Sequence, residues 1–303
     1  MRKFLITLVG ILAVWFAIDR IGGEMMWYVN QHTNDMTSPK VKKIVNGIDA
    51  DVVLMGTSRC NGHYVPQIIA DTLGARVYNA GIDGSDNIYA QYLALCHIVA
   101  HKCPKVICLE VQNCFIEEEN NAYATTSFFA PYFGQNERAD SVFRDAGTYW
   151  LYQLSHLYRF NAKALSNITG LLKDRWAEED NGYIPITQPD WYPESLRLWD
   201  EVDPTSPDKL KYIIRFIGLC REYHIQLVWM VSPTYSIVGD HYYDALKTVA
   251  RQNDIPFLDY HTPSLYHNHP EYFRDETHLW DKGARLYSAI FAGDLKRLLQ
   301  IQN

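Results

Sequence analysis

Short runs of β-branched and other apolar residues alternate with amphipathic stretches along most of this chain, and that alternation leaves few architectures open. The apolar runs are residues 51–55, 76–78, 105–110, 226–231 and 256–258; the helical patterns are 64–73, 87–101, 208–224, 242–252 and 282–299. Strands that alternate with helices imply a parallel sheet covered on both faces. The expectation is an α/β protein: a flavodoxin-like three-layer sandwich with a central parallel sheet, one strand for each run. Ligands of such sheets bind beyond the carboxyl ends of the strands. Ser58, Gly81, Asn113 and Ser232 each come just after a run.

The chain has 303 residues, 48% of them hydrophobic and 14% aromatic, enough for one large core and incompatible with a disordered protein. A net charge of −7 argues against nucleic acid, which needs a basic footprint. Six cysteines (Cys60, Cys96, Cys103, Cys108, Cys114 and Cys220) do not make a disulfide framework in a chain this long, and sequence cannot choose among their pairings. Cys96 and Cys108 lie in apolar stretches and read as core. No Cys-x-x-Cys or histidine-rich spacing suggests a metal. No glycine-rich phosphate loop supports a flavodoxin-like nucleotide site, and no cofactor is expected.

At the N-terminus, Arg2 and Lys3 precede fifteen almost unbroken apolar residues, 4–18. That is short of the ~20 residues a bilayer span needs, but it suits the apolar region of a signal sequence. No clear cleavage site follows. Residues 1–23 are expected to be an uncleaved signal anchor with its cations inside, 24–46 a stalk, and 47–303 the globular domain. The competing reading, a buried N-terminal helix of a cytosolic protein, explains the leading cations less well. About 115 residues separate Val111 from Gln226 with only helical or irregular character, which reads as an inserted cap at roughly 115–205. Within it, 149–176 looks like a long helix or helical pair, and 182–193 like an aromatic, proline-stiffened loop. The aromatic pieces 128–133 and Trp191-Tyr192 suit sugar stacking or core, and core is preferred. The run 117–119 reads as solvated charge.

Two short pieces carry chemistry. Gly56-Thr57-Ser58-Arg59 puts a serine where an apolar strand ends in a tight glycine turn. Asp275-Glu276-Thr277-His278-Leu279, near the other end of the chain, lets one loop deliver a carboxylate and an imidazole. A serine hydroxyl needs a base within hydrogen-bond reach and a partner that orients the base. Ser58, His278 and Asp275 are the candidates. Ser58 would also supply a backbone N–H to an oxyanion. The competing readings are a helix cap for Ser58 and a surface turn for the Asp-x-x-His piece.

The two pieces, in that order, together with Gly283-Ala284 opening a helix after His278-Leu279, resemble the SGNH (GDSL-type) serine hydrolases. Val77-Tyr78-Asn79-Ala80-Gly81 resembles the family's second block, which implies that Gly81 donates its N–H to the oxyanion. Asn113 best matches the asparagine of the third block, with Gln112 as the fallback. The Gly-Thr-Ser-Arg form and the anchor are similar to cell-envelope members of the family. The resemblance covers roughly residues 50–115 and 225–300. It implies the SGNH hydrolase fold and a membrane-anchored serine esterase or O-acyltransferase on the outer side of the inner membrane. Such a protein acts on an acylated envelope polysaccharide or lipid, with a membrane O-acyltransferase as a partner. Three departures stand out: no glycine in the third block, Trp280 where asparagine is usual, and Arg59 where leucine is. Losing one oxyanion donor costs about 3–4 kcal/mol of transition-state stabilisation. These departures support the alternative of a non-catalytic, glycan-binding or scaffolding SGNH-like protein. Arg59, Asn61 and Ser232 are further candidates for substrate contact.

Overall fold

The computed structural model describes residues 1–112, 124–173, 181–187, 198–199, 207–239, 241–261 and 269–301. The five expected strands form one parallel sheet. They are β1 (Val52–Met55), β2 (Val77–Asn79), β3 (Val106–Glu110), β5 (Gln226–Val231) and β7 (Phe257–Asp259), ordered β2-β1-β3-β5-β7. A separate parallel pair joins β4 (Leu198–Trp199) to β6 (Ile237–Val238). The register runs Val52 against Val77 on one side and against Val106 on the other, then Val106 against Gln226 and Trp229 against Phe257.

Successive strand side chains point to opposite faces, and the core divides accordingly. Val53, Met55, Ile107, Leu109, Trp229 and Val231 pack in one layer. Val52, Leu54, Val106, Cys108, Val228 and Met230 pack in the other. The first layer is covered by α2 (Ser38–Asn46), α5 (Ile88–Val99), α9 (Pro207–Glu222) and α10 (Asp244–Gln252). α5 is buried at all twelve positions, because its sequence is apolar all round. Asn87 caps it by accepting the N–H groups of Tyr89 and Ala90 at 3.1 and 3.2 Å. The second layer is covered by α4 (Pro66–Leu73) and α11 (Asp281–Ile301), which bring Ile69, Tyr287, Phe291 and Leu295 inward.

Residues 24–46 are not a free stalk. α1 (Arg2–His32) continues past the apolar run, and α2 buries Val41, Ile44 and Val45 in the core. Two of the polar residues that suggested a stalk, Asn30 and Ser38, are buried and hydrogen-bonded to Asn167. Asn30 accepts from Asn167 at 2.9 Å, and Asp35 accepts from the Thr37 N–H at 3.0 Å and pairs with Lys163 at 3.3 Å.

Between β3 and β5 the described residues add no strand to the main sheet. Residues 137–170 fold as short pieces: α6 (Glu137–Asp145), α7 (Tyr149–Leu154), a 3₁₀ turn (Leu157–Phe160) and α8 (Ala164–Gly170). The long helix or helical pair expected at 149–176 is interrupted at Ser155 and again at 161–163, and residues 174–176 lie outside the described residues. Phe129, Tyr132 and Phe133 are core; Trp191, Tyr192 and the charge run 117–119 lie outside the described residues.

The strand order reverses between β1 and β3: the chain leaves β1 for β2 on one side and returns to β3 on the other. In open α/β sheets that crevice, beyond the carboxyl ends, is where ligands bind. Ser58 follows β1 and Gln112 follows β3.

Candidate active site

The turn after β1 requires glycine twice over. Gly56 has φ +150°, and a Cβ there would meet the Cβ atoms of Cys60 and Glu110 at 2.8 Å. The short helix α3 (Ser58–His63) follows. Its N-cap is Thr57, whose hydroxyl makes no capping bond. Ser58 is therefore the first helical residue rather than the cap, and its hydroxyl is directed elsewhere: Ser58 Oγ lies 2.8 Å from His278 Nε2. The other ring nitrogen, Nδ1, lies 2.9 and 3.0 Å from the two Asp275 oxygens. A carboxylate there accepts an Nδ1–H, which leaves Nε2 as acceptor for the serine proton.

The loop that carries Asp275 and His278 is held through its backbone. Asp275 Oδ1 accepts the N–H groups of Thr277 and His278, both at 2.8 Å, and the Thr277 hydroxyl at 3.1 Å. Burial alone would raise the Asp275 carboxyl, but the hydrogen bond and charge of His278 and those two N–H groups hold it well below the usual carboxylate range. The Glu276 carbonyl accepts from the Tyr235 and Ser236 N–H groups, each at 3.0 Å, and from the Thr234 hydroxyl at 2.8 Å. The loop closes on itself through the Phe273–Leu279 bridge.

His63, which sequence reasoning passed over, ties this loop to α3. It is wholly buried, its Nε2 accepts the Leu279 N–H at 2.9 Å, and its Nδ1 lies 2.8 Å from Ser232 Oγ. Burial, and then the charges of Arg59 and His278, push its pKa well below the ordinary value. His63 is thus neutral, with its proton on Nδ1. The only sequence signal was its place at the end of the serine helix.

Arg59, Asn61 and Ser232, candidates for substrate contact, are buried and hydrogen-bonded within the protein. Arg59 is 1% exposed. It donates from Nε and Nη2 to Ser232 Oγ at 3.1 and 2.9 Å, and from Nη2 to the Ser232 and Pro233 carbonyls. It clamps the loop after β5 from inside, a role that a helix start over a sheet end imposes on an inward-pointing side chain. Ser232 is fully buried, and its N–H donates to Glu110 Oε2 at 3.0 Å, which also accepts the Tyr64 hydroxyl at 2.6 Å. Burial raises the Glu110 carboxyl, and the Arg59 charge and these donors offset part of that. Asn61 is buried between Lys40, which donates to its Oδ1, and Asp83, whose Oδ1 accepts its Nδ2 at 2.8 Å. Lys40, from α2, also donates to the Gly182 carbonyl at 2.6 Å, and burial pushes its pKa down to about 8.

Residues 181–186 lie across the same end of the sheet. The Asn181 carbonyl accepts the Asn79 N–H at 2.9 Å, the Ile184 N–H donates to the Asn61 carbonyl at 3.3 Å, and the Ile186 carbonyl accepts the Asp281 N–H at 3.0 Å.

The backbone around Gly81, expected to face an oxyanion, is less open. Gly81 packs so closely on α3 that a Cβ would lie 2.5 Å from the Asn61 nitrogen, and its N–H donates to Asn79 Oδ1 at 2.9 Å. Gln112 is buried, and its Oε1 has no hydrogen-bond partner among the described residues. Asn113 lies outside the described residues. The His/Cys/Asp/Glu side chains among the described residues form no metal-sized cluster.

No protein-family model matches the chain, and no curated protein matches it. A solved structure of an inferred lipolytic protein of the G-D-S-L family from Desulfitobacterium hafniense DCB-2 superposes with a TM-score of 0.40 at 13% identity. It covers 81% of this chain and 97% of that one. So distant a likeness adds nothing to the site, whose chemistry rests on its own geometry.

Proposed function

We propose that the chain is a membrane-anchored SGNH-type serine esterase or O-acyltransferase acting on an ester-linked acyl group of an envelope glycan or lipid. One observation carries this reading: the 2.8 Å contact of Ser58 Oγ with His278 Nε2, with Asp275 on the opposite ring nitrogen. Ser58 attacks the ester carbonyl as His278 Nε2 takes its proton. Asp275 stays ionised and steadies the imidazolium. The tetrahedral oxyanion is held by the Ser58 N–H, a first-turn donor with no helical acceptor, and by a side-chain amide from Gln112 or Asn113. Gly81 joins only by sharing its N–H with Asn79. Collapse expels the alcohol, which takes the proton from His278, and leaves an acyl-Ser58 ester. Water, or a sugar hydroxyl deprotonated by His278, then releases the acyl group.

The anchor is α1, a helix of 31 residues that is long and apolar enough to cross a membrane. Arg2 and Lys3 at its head support an orientation with the site on the extracytoplasmic side of the inner membrane. The engaged Gly81 N–H favours the second reading, a glycan-binding or scaffolding protein that retains the triad geometry. A fluorophosphonate probe separates the two, because it reports an activated serine whatever the substrate. Labelling that disappears in Ser58→Ala and His278→Ala supports the enzyme, and absence of labelling in the intact chain overturns it.

A further inference from the structure

We propose that the hairpin made by α7 and the 3₁₀ turn after it is a membrane-embedded shoulder that seats the globular domain on the bilayer surface. The proposal rests on the reading of α1 as a membrane span. Five large apolar side chains of this hairpin face solvent: Trp150 at 69% exposure, Leu154 at 66%, Leu151 at 46%, and Leu157 and Tyr158 at 39% each. Trp150, Leu151 and Leu154 share one face of α7 by helical spacing, while Tyr152 points into the core. Clustered exposure of this kind marks an interaction surface.

What covers the hairpin follows from where α1 meets it. The Asp19 carboxylate is 5% exposed and accepts from the Ser155 hydroxyl, from the His156 N–H at 2.9 Å and from the Leu157 N–H at 3.3 Å. Arg20 donates to the Leu154 carbonyl at 3.2 Å. Gly22 and Gly23 let the hairpin lie directly on the helix: a Cβ on Gly23 would sit 2.5 Å from His156 Cβ. Trp15, Ile18 and Met26 of α1 line a groove of about 430 Å³ with Leu157 and Tyr158. At 1.5 Å per residue, Asp19 lies about 26 Å along the helix from Arg2, close to the ~30 Å depth of a hydrocarbon core. The hairpin is therefore fixed at the level where α1 leaves the bilayer. The exposed side chains of residues 4–18 run on into it.

Two otherwise odd features follow. The apolar run is short for a span, and a shoulder of tryptophan, tyrosine and leucine at its outer end extends the apolar contact, as interfacial aromatics do. A carboxylate at that depth is costly unless paired, and the hairpin supplies three donors and shields it from lipid.

The test uses the full chain in nanodiscs, with tryptophan fluorescence quenched by lipids brominated near the headgroup end of the acyl chains. Trp15→Phe and Trp150→Phe are compared singly and together. The proposal expects each variant to lose part of the quenching and the double variant to lose most of it. If Trp15→Phe loses quenching and Trp150→Phe does not, the chain is anchored but the hairpin stands clear of lipid, and the proposal alone fails. A blue-shifted but unquenched Trp150 means that a protein covers the face, which also overturns it. If Trp15 itself is unquenched, the anchor reading fails first.

Discussion

The two halves of the candidate site are built to different standards. On the base side, the loop is held at several points: Glu276 by four donors, Asp275 by the loop it belongs to, and Leu279 by His63. On the side expected to hold an oxyanion, the N–H of Gly81 is engaged by Asn79, and Gln112 is buried with a carbonyl oxygen that has no partner among the described residues. On the proposed function, the proton-relay half has its contacts in place, while the electrostatic half, commonly the largest single contribution to such catalysis, is only partly open. The proposed turnover depends on that second half.

The largest expected effect tests the base side. Ser58→Ala or His278→Ala should lower hydrolysis of an activated ester by about 10⁴–10⁶-fold. Wild-type rates in either variant would mean that the 2.8 Å contact is not catalytic. Asp275→Asn should cost about 10⁴-fold, because the amide no longer enforces the tautomer, with the fold intact by circular dichroism. A loss below tenfold would detach Asp275 from the relay.

Gln112→Ala probes the oxyanion side. If Gln112 supplies the side-chain donor, kcat falls about 10²–10³-fold with KM little changed. An unchanged kcat would leave the donor to Asn113 and make the two halves independent at this position.

The smallest effect concerns the tie between the halves. His63→Phe leaves the buried Leu279 N–H without an acceptor and should cost about 1–3 kcal/mol of stability; His63→Gln should restore part of it. The pH dependence has a definite sign. With its folded pKa below the ordinary 6.5, His63 takes up a proton more readily in the unfolded chain. Stability should therefore fall as pH drops below about 6.5, by at most ~1.4 kcal/mol per pH unit for one proton. A denaturation midpoint that falls with pH equally in wild type and His63→Gln would assign the slope to other groups.

The five strands and the order of Ser58, Asp275 and His278 were legible in the sequence because each depends on local properties. Apolar runs of strand length, a glycine turn and an i, i+3 loop need no knowledge of neighbours. Arg59 and Ser232 were not legible in the same way. A charged residue directly after Ser58 reads as a substrate contact, and only packing α3 over the ends of β3 and β5 turns it inward, onto Ser232. Residues 24–46 failed for a related reason: Asn30, Asp35 and Ser38 look solvated in isolation, yet bury their polar groups against Asn167 and Lys163, more than a hundred residues away.

By itself the sequence determined the layer architecture, the crevice at which a site can form, and the residue types available for a proton relay. Periodicity and turn chemistry act over a few residues and can be read in order along the chain. Tertiary structure alone decided that Thr57 rather than Ser58 takes the N-cap position of α3, leaving the serine hydroxyl to meet an imidazole 220 residues away. It also decided that His63 is neutral and that the Gly81 N–H is engaged. Hydrogen bonds are satisfied by whichever partner the fold brings within about 3 Å, and no spacing along the chain records that choice.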